Sequence, residues 1–276
     1  MPVSDRQLDQ FAAKHAWQIP FDTSPRDLAG PGDARHVTHG LAAAGWDLAT
    51  DPLSSEIVLR SPDLRHRLQF DPQPGTSTAW WRLRAESTET QPGWYAEFGA
   101  LVPAEILSSL TDSLAFPPSD PLPDPFPVLE AAGWLRDSPS TAHSSDGRCH
   151  LITETDPRYG QTEWRLIVHE EGYGEARGQQ IWHARFDNTP QHLVSAFITA
   201  FVDPTPLQRG MYERTGTFWT NITQEQSPLS PDQVVDAHTK RVEALRAQAR
   251  AAARRQQRLA TKAPAPPPRS TAPSRR

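Results

Sequence analysis

Few residues of this chain have the types and spacing that catalysis or metal binding requires. The single cysteine, Cys149, lies in an alternating apolar segment, so we expect an inert core thiol rather than a nucleophile. His36 and His39 could share one helix face as metal ligands, but no third ligand follows nearby. The stretch His169–Glu171 could bind a metal only with a neighbour such as His183. We therefore predict no catalytic residues, no metal, no cofactor and no enzyme, and an unrecognised enzyme is the remaining alternative.

A stronger chemical signal comes from basic residues on strand-like segments. In 65–70 and 79–86, apolar and basic residues alternate, which places the basic ones on the face opposite the apolar ones. Arginines beside exposed aromatic side chains on an open sheet can bind phosphates and stack bases. A solvated face, on which the arginines pair with Glu86 or Glu97, is the alternative. The candidate binding residues are Arg65, Arg67, Trp80, Arg82, Arg84, Tyr95, Arg148, Arg165 and Arg185.

A second group of basic residues lies near the C-terminus. Residues 239–276 hold 11 Lys or Arg and one acid, Glu243, whereas the rest of the chain holds 17 basic and 32 acidic residues. An acidic body with a basic tail favours an acidic partner for the tail, either nucleic acid or protein. A solvated helix without a partner is the other interpretation. The candidate binding residues here are Arg246, Arg250, Arg254, Arg255 and Arg258.

The segments that must position these residues occur as an internal repeat. Three motifs return 83 to 88 residues later: Gly45-Trp46 as Gly133-Trp134, Trp81-Arg82-Leu83 as Trp164-Arg165-Leu166, and Trp94-x-Ala96-x-Phe98 as Trp182-x-Ala184-x-Phe186. Such self-similarity indicates a duplicated supersecondary unit. In each unit the periodicity predicts a helix, three or four antiparallel strands and a second helix.

This pattern predicts an α+β fold of two tandem repeats, each with helices on one face of its sheet, followed by a long C-terminal helix. We expect Trp81 and Trp94 to meet across adjacent strands. The predicted divisions are 1–35 (helix and loop), 36–117 (repeat 1), 118–127 (Pro-rich linker), 128–206 (repeat 2), 207–229 (connecting strap), 230–262 (basic helix) and 263–276 (disordered tail).

Capping residues mark several predicted helix starts. Ser4 is a good N-cap for the first helix, and Pro103 suits the first position of the helix after the first sheet. Thr189 and Pro190 play the corresponding roles in the second repeat. The sequence 230–233 combines Ser, Pro and Gln at the N-cap, N1 and N3 positions of the C-terminal helix.

The C-terminal helix also suggests a second hypothesis, an assembly protein. Val235, Val242, Leu245 and Leu259 fall on heptad positions a and d, so residues 231–259 could mediate homo-oligomerisation. The N-terminus lacks an apolar signal-peptide region, and no window approaches 18 apolar residues. We therefore expect a cytoplasmic protein without a membrane partner. One cysteine excludes an intrachain disulfide.

The motifs of the first repeat resemble those of a known family. They are Ser61-Pro62-Asp63 before a strand, the segments 80–83, 92–99 and 102–107, and the upstream stretches 29–33, 36–39 and 43–46. Together, over residues 28–117, they resemble the SPDY family, a domain of unknown function described mainly from streptomycete proteins. The second repeat matches more loosely, with Ser144-Ser145-Asp146 at the motif position. The resemblance implies no activity, ligand or site residue, and our leading hypothesis is a non-enzymatic interaction module that binds an acidic partner.

Overall fold

The computed structural model describes residues 3–51, 54–72, 79–170, 172, 178–211, 213 and 222–262. The helices are α1 (Asp5–His15), α2 (Arg35–Ala43), α3 (Ala104–Ala115), α4 (Pro125–Ala131), α5 (Gln191–Val202) and α6 (Pro231–Lys262), with a short 3-10 helix at Arg26–Leu28. The strands are β1 (Pro20–Ser24), β2 (Asp47–Leu48), β3 (Ile57–Arg60), β4 (His66–Phe70), β5 (Ala79–Ala85), β6 (Trp94–Gly99), β7 (Leu135–Ser138), β8 (Thr141–His143), β9 (Cys149–Thr155), β10 (Thr162–His169), β11 (Gln180–Asp187), β12 (Leu207–Gly210) and β13 (Thr223–Gln226).

The two repeats share one sheet. Its strand order is β2-β3-β4-β5-β6-β11-β10-β9-β8-β7, so each repeat contributes five strands in mirrored order. The central pair β6 and β11 is antiparallel, with Phe98 opposite Ala184. The α+β prediction is confirmed, but the three or four strands expected per repeat were too few, because β2, β7 and β8 are too short to show a periodicity. Fusion of the two sheets pairs the edges that separate sheets would leave open.

The core lies between this sheet and the helices α2, α3, α4 and α5. Trp81 and Trp182 are almost fully buried there, as the apolar alternation predicts. The predicted contact between Trp81 and Trp94 is wrong, because Trp81 lies opposite Phe98 and Trp94 lies opposite Ala85. The hairpin register therefore separates the two indoles by four positions, and Trp81 stacks on Phe70 instead, with ring centroids 4.0 Å apart.

The region 19–35, expected to be a loop, contributes a strand. β1 is the middle strand of a small antiparallel sheet of order β12-β1-β13, in which Phe21 lies opposite both Arg209 and Gln226. Its partners come from the C-terminal third of the chain, so its short local pattern gave no signal of strand pairing.

Helix boundaries follow the capping signals with small shifts. Ser4 and Gln7 form the expected capping box of α1, and Ser230 with Gln233 forms that of α6. Pro103 and Pro190 are N-caps rather than first helical residues. The hydroxyl of Thr189 donates to the backbone oxygen of Tyr95 instead of capping α5. Helix α4 begins inside the predicted linker 118–127, with Asp124 as its N-cap.

Helix α6 packs on α1 and α2, on the side of the sheet that the helices cover. Val242 and Leu245 are buried there against Val3 and Ala43. Two of the four residues expected to form a self-association seam are thus covered within the same chain, and the side chain of Leu259 lies outside the described part. Residues 263–276 also lie outside it. Among the described helices, none combines the length and apolar character needed to cross a membrane.

Candidate functional site

The sheet face opposite the helices carries most of the basic residues singled out by the sequence. Arg67, Arg82, Arg84 and Tyr95 alternate with buried residues on β4, β5 and β6. Arg165 and Arg185 take equivalent places on β10 and β11. Trp80, expected to be exposed, is half-buried and packs edge-on against Phe70 at 6.3 Å between centroids.

Three arginines stand side by side on this face in repeat 1. The strand registers place Arg60 opposite Arg67 and Arg67 opposite Arg84, and the next residue across is Tyr95. We call Arg60, Arg67 and Arg84 the arginine row. Side chains directly opposite one another lie about 5 Å apart, and like charges in such pairs are destabilising. The Nε of Arg67 is buried and finds no hydrogen-bond partner in the described structure.

The same row continues into repeat 2 with the opposite charge. Beyond Tyr95 come Asp187, Glu163 and Glu154, each directly opposite the one before. We call these three residues the acidic row. Along this row the charge therefore changes sign at Tyr95, from the arginine row of repeat 1 to the carboxylates of repeat 2.

The arginines of repeat 2 are neutralised by this acidic row. Arg165 pairs with Glu154 at 3.0 Å and also contacts Glu163, and Arg185 pairs with Glu163 and Asp187 at 3.0 Å. Burial alone would raise the pKa of Glu163, but the two arginines hold it below its usual value. In the described part of repeat 1, Arg84 contacts Glu86 at 3.5 Å, with both side chains exposed, and Asp47 lies directly opposite Arg60.

Arg148 does not lie on the open face. Arg148 is largely buried and pairs with Asp146 at 2.7 Å and with Asp27 at 3.3 Å. Burial raises the pKa of Asp27, although Arg148 opposes the shift. Arg65 donates to the backbone oxygens of Glu86 and Pro92. Both arginines stabilise local structure beside the Ser-x-Asp turns, Ser61–Asp63 and Ser144–Asp146.

The two Ser-x-Asp turns have the same geometry. The Ser61 hydroxyl donates to Asp63 at 2.5 Å and accepts from the backbone N–H of His66 at 2.8 Å. The Ser144 hydroxyl donates to Asp146 at 2.5 Å and accepts from the backbone N–H of Cys149 at 2.9 Å. Each turn contains one residue with positive φ, Leu64 at 63° and Gly147 at 70°. The motif is thus a side-chain-braced turn between two strands.

Each turn forms one wall of a groove at the same place in its repeat. Groove 1 has a volume of about 550 Å³ and is lined by Ala44–Trp46, Ser61–Asp63, His66, Leu114–Phe116 and four residues of α6. Groove 2 has a volume of about 390 Å³ and is lined by Ala132, Trp134, Ser144, Asp146, Arg148, Cys149, Phe201–Pro204, Ser24–Asp27 and Thr223. Most repeat-derived residues of the two walls correspond, although Gly45 and Pro62 line groove 1 alone and Arg148 and Pro204 line groove 2 alone, and the covering segments differ.

The arginines of α6 form a second basic surface. Arg250, Arg254, Arg255 and Arg258 are exposed, and Arg250 lines groove 1. Arg246 is half-buried and donates to the backbone oxygen of Val3. Because α6 lies on the helix-covered side, these arginines and the arginine row face opposite sides of the sheet. The structure does not bring the two predicted basic groups together.

Sequence reasoning missed a buried polar cluster beneath α6. Arg209, on β12, has a guanidinium that is 1% exposed and binds both oxygens of Glu105, at 2.6 and 3.0 Å. His39 and His238 contact through ring nitrogens 3.1 Å apart, and Phe11 stacks on His238 at 3.8 Å. The members come from five elements far apart in sequence, so no spacing motif could reveal them.

This cluster borders a cavity of about 270 Å³ between α1, α3, β12 and α6. Burial, reinforced by nearby cationic groups, lowers the pKa of His39 to about 4 and that of His238 to about 2. Asp33 accepts from Lys14, His15 and Arg35, which hold its pKa far below its usual range despite burial. Among the described residues, no group of three His, Cys, Asp or Glu could hold a metal.

The buried thiol of Cys149 is the other group that could have carried chemistry. It is 3% exposed, and burial raises its pKa well above the ordinary value, with Asp27 adding to the shift. A thiol in this environment stays protonated and is a poor nucleophile.

The fold is that of a duplicated α+β protein. In each repeat, a side-chain-braced Ser-x-Asp turn connects two strands of the sheet and borders a groove. The family model of the SPDY domain, a domain of unknown function (DUF317), matches residues 60–119 and 143–207. The chain therefore carries the SPDY domain twice, and both matches begin at the Ser-x-Asp turn. No curated protein and no solved structure matches the chain.

Proposed function

We propose that this protein is a non-enzymatic interaction module that binds an acidic partner through the arginine row, with α6 as a second basic surface. The observation that carries the proposal is the row itself: three neighbouring strands place Arg60, Arg67 and Arg84 directly opposite one another. Such an arrangement costs free energy in the isolated protein, and an anionic partner would offset that cost.

Single-stranded nucleic acid is the acidic partner that this surface fits best. Phosphates would pair with the arginine row, and a base would stack on Tyr95, which lies directly opposite Arg84. The acidic row would repel the same polyanion, which confines the expected footprint to repeat 1. An acidic protein surface is the alternative partner of the same charge.

The test is fluorescence anisotropy of the full chain with labelled 20-nucleotide DNA and RNA at two salt concentrations. Phosphate contacts make affinity fall steeply as salt rises, so we expect salt-dependent binding. The double variant Arg67→Gln, Arg84→Gln should weaken binding and lower the slope of log affinity against log salt by about 2, because two phosphate contacts are lost.

The matched control is Arg165→Gln, Arg185→Gln, in which both arginines are already paired with carboxylates. It should bind as the unchanged protein does. Equal losses in the two double variants would mean that general charge, and not the arginine row, drives association. If neither DNA nor RNA binds at low salt, the nucleic-acid form of the proposal fails. An acidic polypeptide such as polyglutamate then tests the protein form.

A second candidate function, self-assembly, is favoured by the opposite charges of the arginine row and the acidic row. A second copy turned by 180° would set its acidic row over the arginine row, whereas the helical seam predicted from sequence is already partly buried. Light scattering of the protein with and without Arg67→Glu, Arg84→Glu tests this idea. A monomer in both samples excludes it.

A further inference from the structure

Groove 2 already holds a peptide ligand, and that ligand belongs to the chain itself. The segment Ser24–Asp27 lines it, and the carboxylate of Asp27 lies 3.3 Å from Arg148 and accepts from the thiol of Cys149 at 3.6 Å. The backbone oxygen of Asp27 accepts from the indole N–H of Trp182 at 2.7 Å. The next residue, Leu28, is buried in the core. An acidic residue followed by a large apolar one is therefore the occupant that groove 2 accepts.

Groove 1 offers equivalent walls without such an occupant. His66 takes the place of Cys149, Trp94 that of Trp182, and 114–116 that of 201–203. Among the described residues, no extended segment lies where Ser24–Asp27 lies in groove 2. Helix α6 supplies the remaining wall with Arg250 and three alanines, Ala249, Ala252 and Ala253, whose small side chains leave the groove open.

The charged groups of groove 1 suit a carboxylate. Arg250 is exposed at the groove and supplies its cationic group, and His66 occupies the position that Cys149 has in groove 2. The acid of this wall, Asp63, accepts from Ser61 and from the backbone N–H of Arg65 at 3.1 Å, and its Oδ1 lies 3.8 Å from the Nδ1 of His66. These contacts engage Asp63 within the turn, which leaves Arg250 to attract an incoming anion.

We propose that groove 1 is a docking site for an extended peptide of a partner protein, in which an acidic residue precedes a large apolar residue. The acidic side chain would lie toward His66 and Arg250, and the apolar one would enter between Trp46 and Phe116. This site is separate from the arginine row, which lies on the other face of the sheet. It predicts recognition of a short acidic-apolar motif rather than of a polyanion.

The experiment uses a fluorescently labelled peptide with the sequence of residues 22–30, titrated with the full chain and followed by anisotropy. We expect saturable binding, weakened about 10-fold or more when the peptide carries Asn in place of Asp27 and Ala in place of Leu28. The variant Ala253→Trp fills the groove from an exposed position on α6, so it should abolish binding. The matched control is Ala251→Trp, which is exposed on the same helix but does not line the groove and should bind normally.

Circular dichroism will check that both tryptophan variants fold. If Ala253→Trp does not fold, Arg250→Glu is the second test of the groove. No saturable binding, or equal binding by the two tryptophan variants, overturns the proposal, because the peptide would then be displacing the segment in groove 2 or adhering elsewhere. A dimer that Ala253→Trp abolishes would assign the groove to a second copy and also overturn it. Binding of nucleic acid through the arginine row is expected to survive Ala253→Trp, so the two proposals fail independently.

Discussion

The two grooves show how one repeated unit can be completed in two ways. Each has the same braced turn, but groove 2 is closed by an extended segment that inserts a carboxylate, whereas groove 1 is walled by a helix with small side chains. The covers come from opposite ends of the chain, Ser24–Asp27 from before the repeats and α6 from after them. Duplication therefore fixed the scaffold, and the flanking segments made its two copies different.

The same contrast appears in the charges. In repeat 2 the arginines are paired, Arg148 with Asp27 and Asp146, and Arg165 and Arg185 with the acidic row. In the described part of repeat 1, Asp47 lies opposite Arg60 and Glu86 contacts Arg84, whereas the buried Nε of the central Arg67 finds no hydrogen-bond partner. The repeat whose groove is filled is also the repeat whose arginines are satisfied, which directs the search for partners to repeat 1.

The largest expected effect tests the link between repeat 1 and the chain that follows the groove 2 segment. Arg209 donates to the backbone oxygens of Ala29 and Gly30, just after the segment in groove 2, and binds Glu105 of repeat 1. Removing the guanidinium in Arg209→Ala leaves Glu105 without its partner and should lower the free energy of unfolding by about 3–5 kcal/mol. Urea denaturation followed by tryptophan fluorescence measures it.

The control is Arg136→Ala, since this arginine also makes several hydrogen bonds but is 37% exposed. An exposed pair of this kind contributes little, so the loss should stay below about 1 kcal/mol. Similar losses in the two variants would show that Arg209 does not join the two halves.

The next prediction is that acid loosens the cover of groove 1 before that of groove 2. Burial holds the pKa of His39 and His238, at the α2–α6 contact, at about 4 and about 2, below the value of about 6.5 in an unfolded chain. The unfolded state therefore takes up protons first, and stability at this contact is full above pH 6.5 and falls toward pH 4. The expected loss at pH 5 is about 2 kcal/mol for each histidine, or about 4 kcal/mol for the pair.

Asp27 has the opposite sign, because burial raises its pKa, so the folded protein binds this proton more readily than the unfolded chain does. Acid should thus leave the segment in groove 2 in place. Hydrogen exchange at pH 7 and pH 5, corrected for its intrinsic pH dependence, should show protection lost in α6 and kept near Leu28. The variant His238→Gln removes one protonation site and should therefore reduce the loss of protection in α6 at pH 5. Equal loss of protection in α6 and near Leu28 would contradict the assignment of the acid effect to the histidines.

What the sequence could predict depended on how local the interaction was. The duplication, the inward tryptophans and the capping box of Ser230 all rest on residues close together in the chain, and the structure contains them. The fusion of the two sheets at β6 and β11, the strand β1 and the Arg209–Glu105 pair depend on partners far away in sequence. The hydrophobic periodicity of a sequence does not indicate contacts between residues that are far apart in the chain.

The arginines illustrate the same limit within one surface. Alternation correctly placed Arg84 and Arg185 on the face opposite the tryptophans. It could not show that Arg185 would meet Glu163 or that Arg60 would join Arg67 and Arg84, because both depend on strand register. The chemistry of the candidate site is therefore set by cross-strand neighbours, which a single sequence does not display.

A smaller effect tests whether the two turns are energetically equivalent. In Ser61→Ala and Ser144→Ala a buried backbone N–H and an Asp carboxylate each lose one hydrogen bond, so each variant should lose about 1–2 kcal/mol. The two losses should agree within about 0.5 kcal/mol. Thermal denaturation of both variants measures them, with Ser54→Ala, in an exposed turn, as the control of small effect. A large difference would show that the covers, not the turns, carry the stability of each groove.

The smallest effect concerns the position of positive φ, at which the turns have a leucine in repeat 1 and a glycine in repeat 2. Leu64 has φ 63° and is 73% exposed, whereas repeat 2 has Gly147 at φ 70°. A left-handed conformation costs a residue with a Cβ about 1–2 kcal/mol, part of which the greater freedom of glycine in the unfolded chain offsets. Leu64→Gly should therefore raise the free energy of unfolding by about 0.5 kcal/mol, and Gly147→Leu should lower it by about 1 kcal/mol. The control Leu48→Gly, at an exposed leucine of β2, should instead destabilise the protein. If Leu64→Gly also destabilises it, the exposed leucine is making a contact that the turn of repeat 2 lacks, and the two turns are not interchangeable.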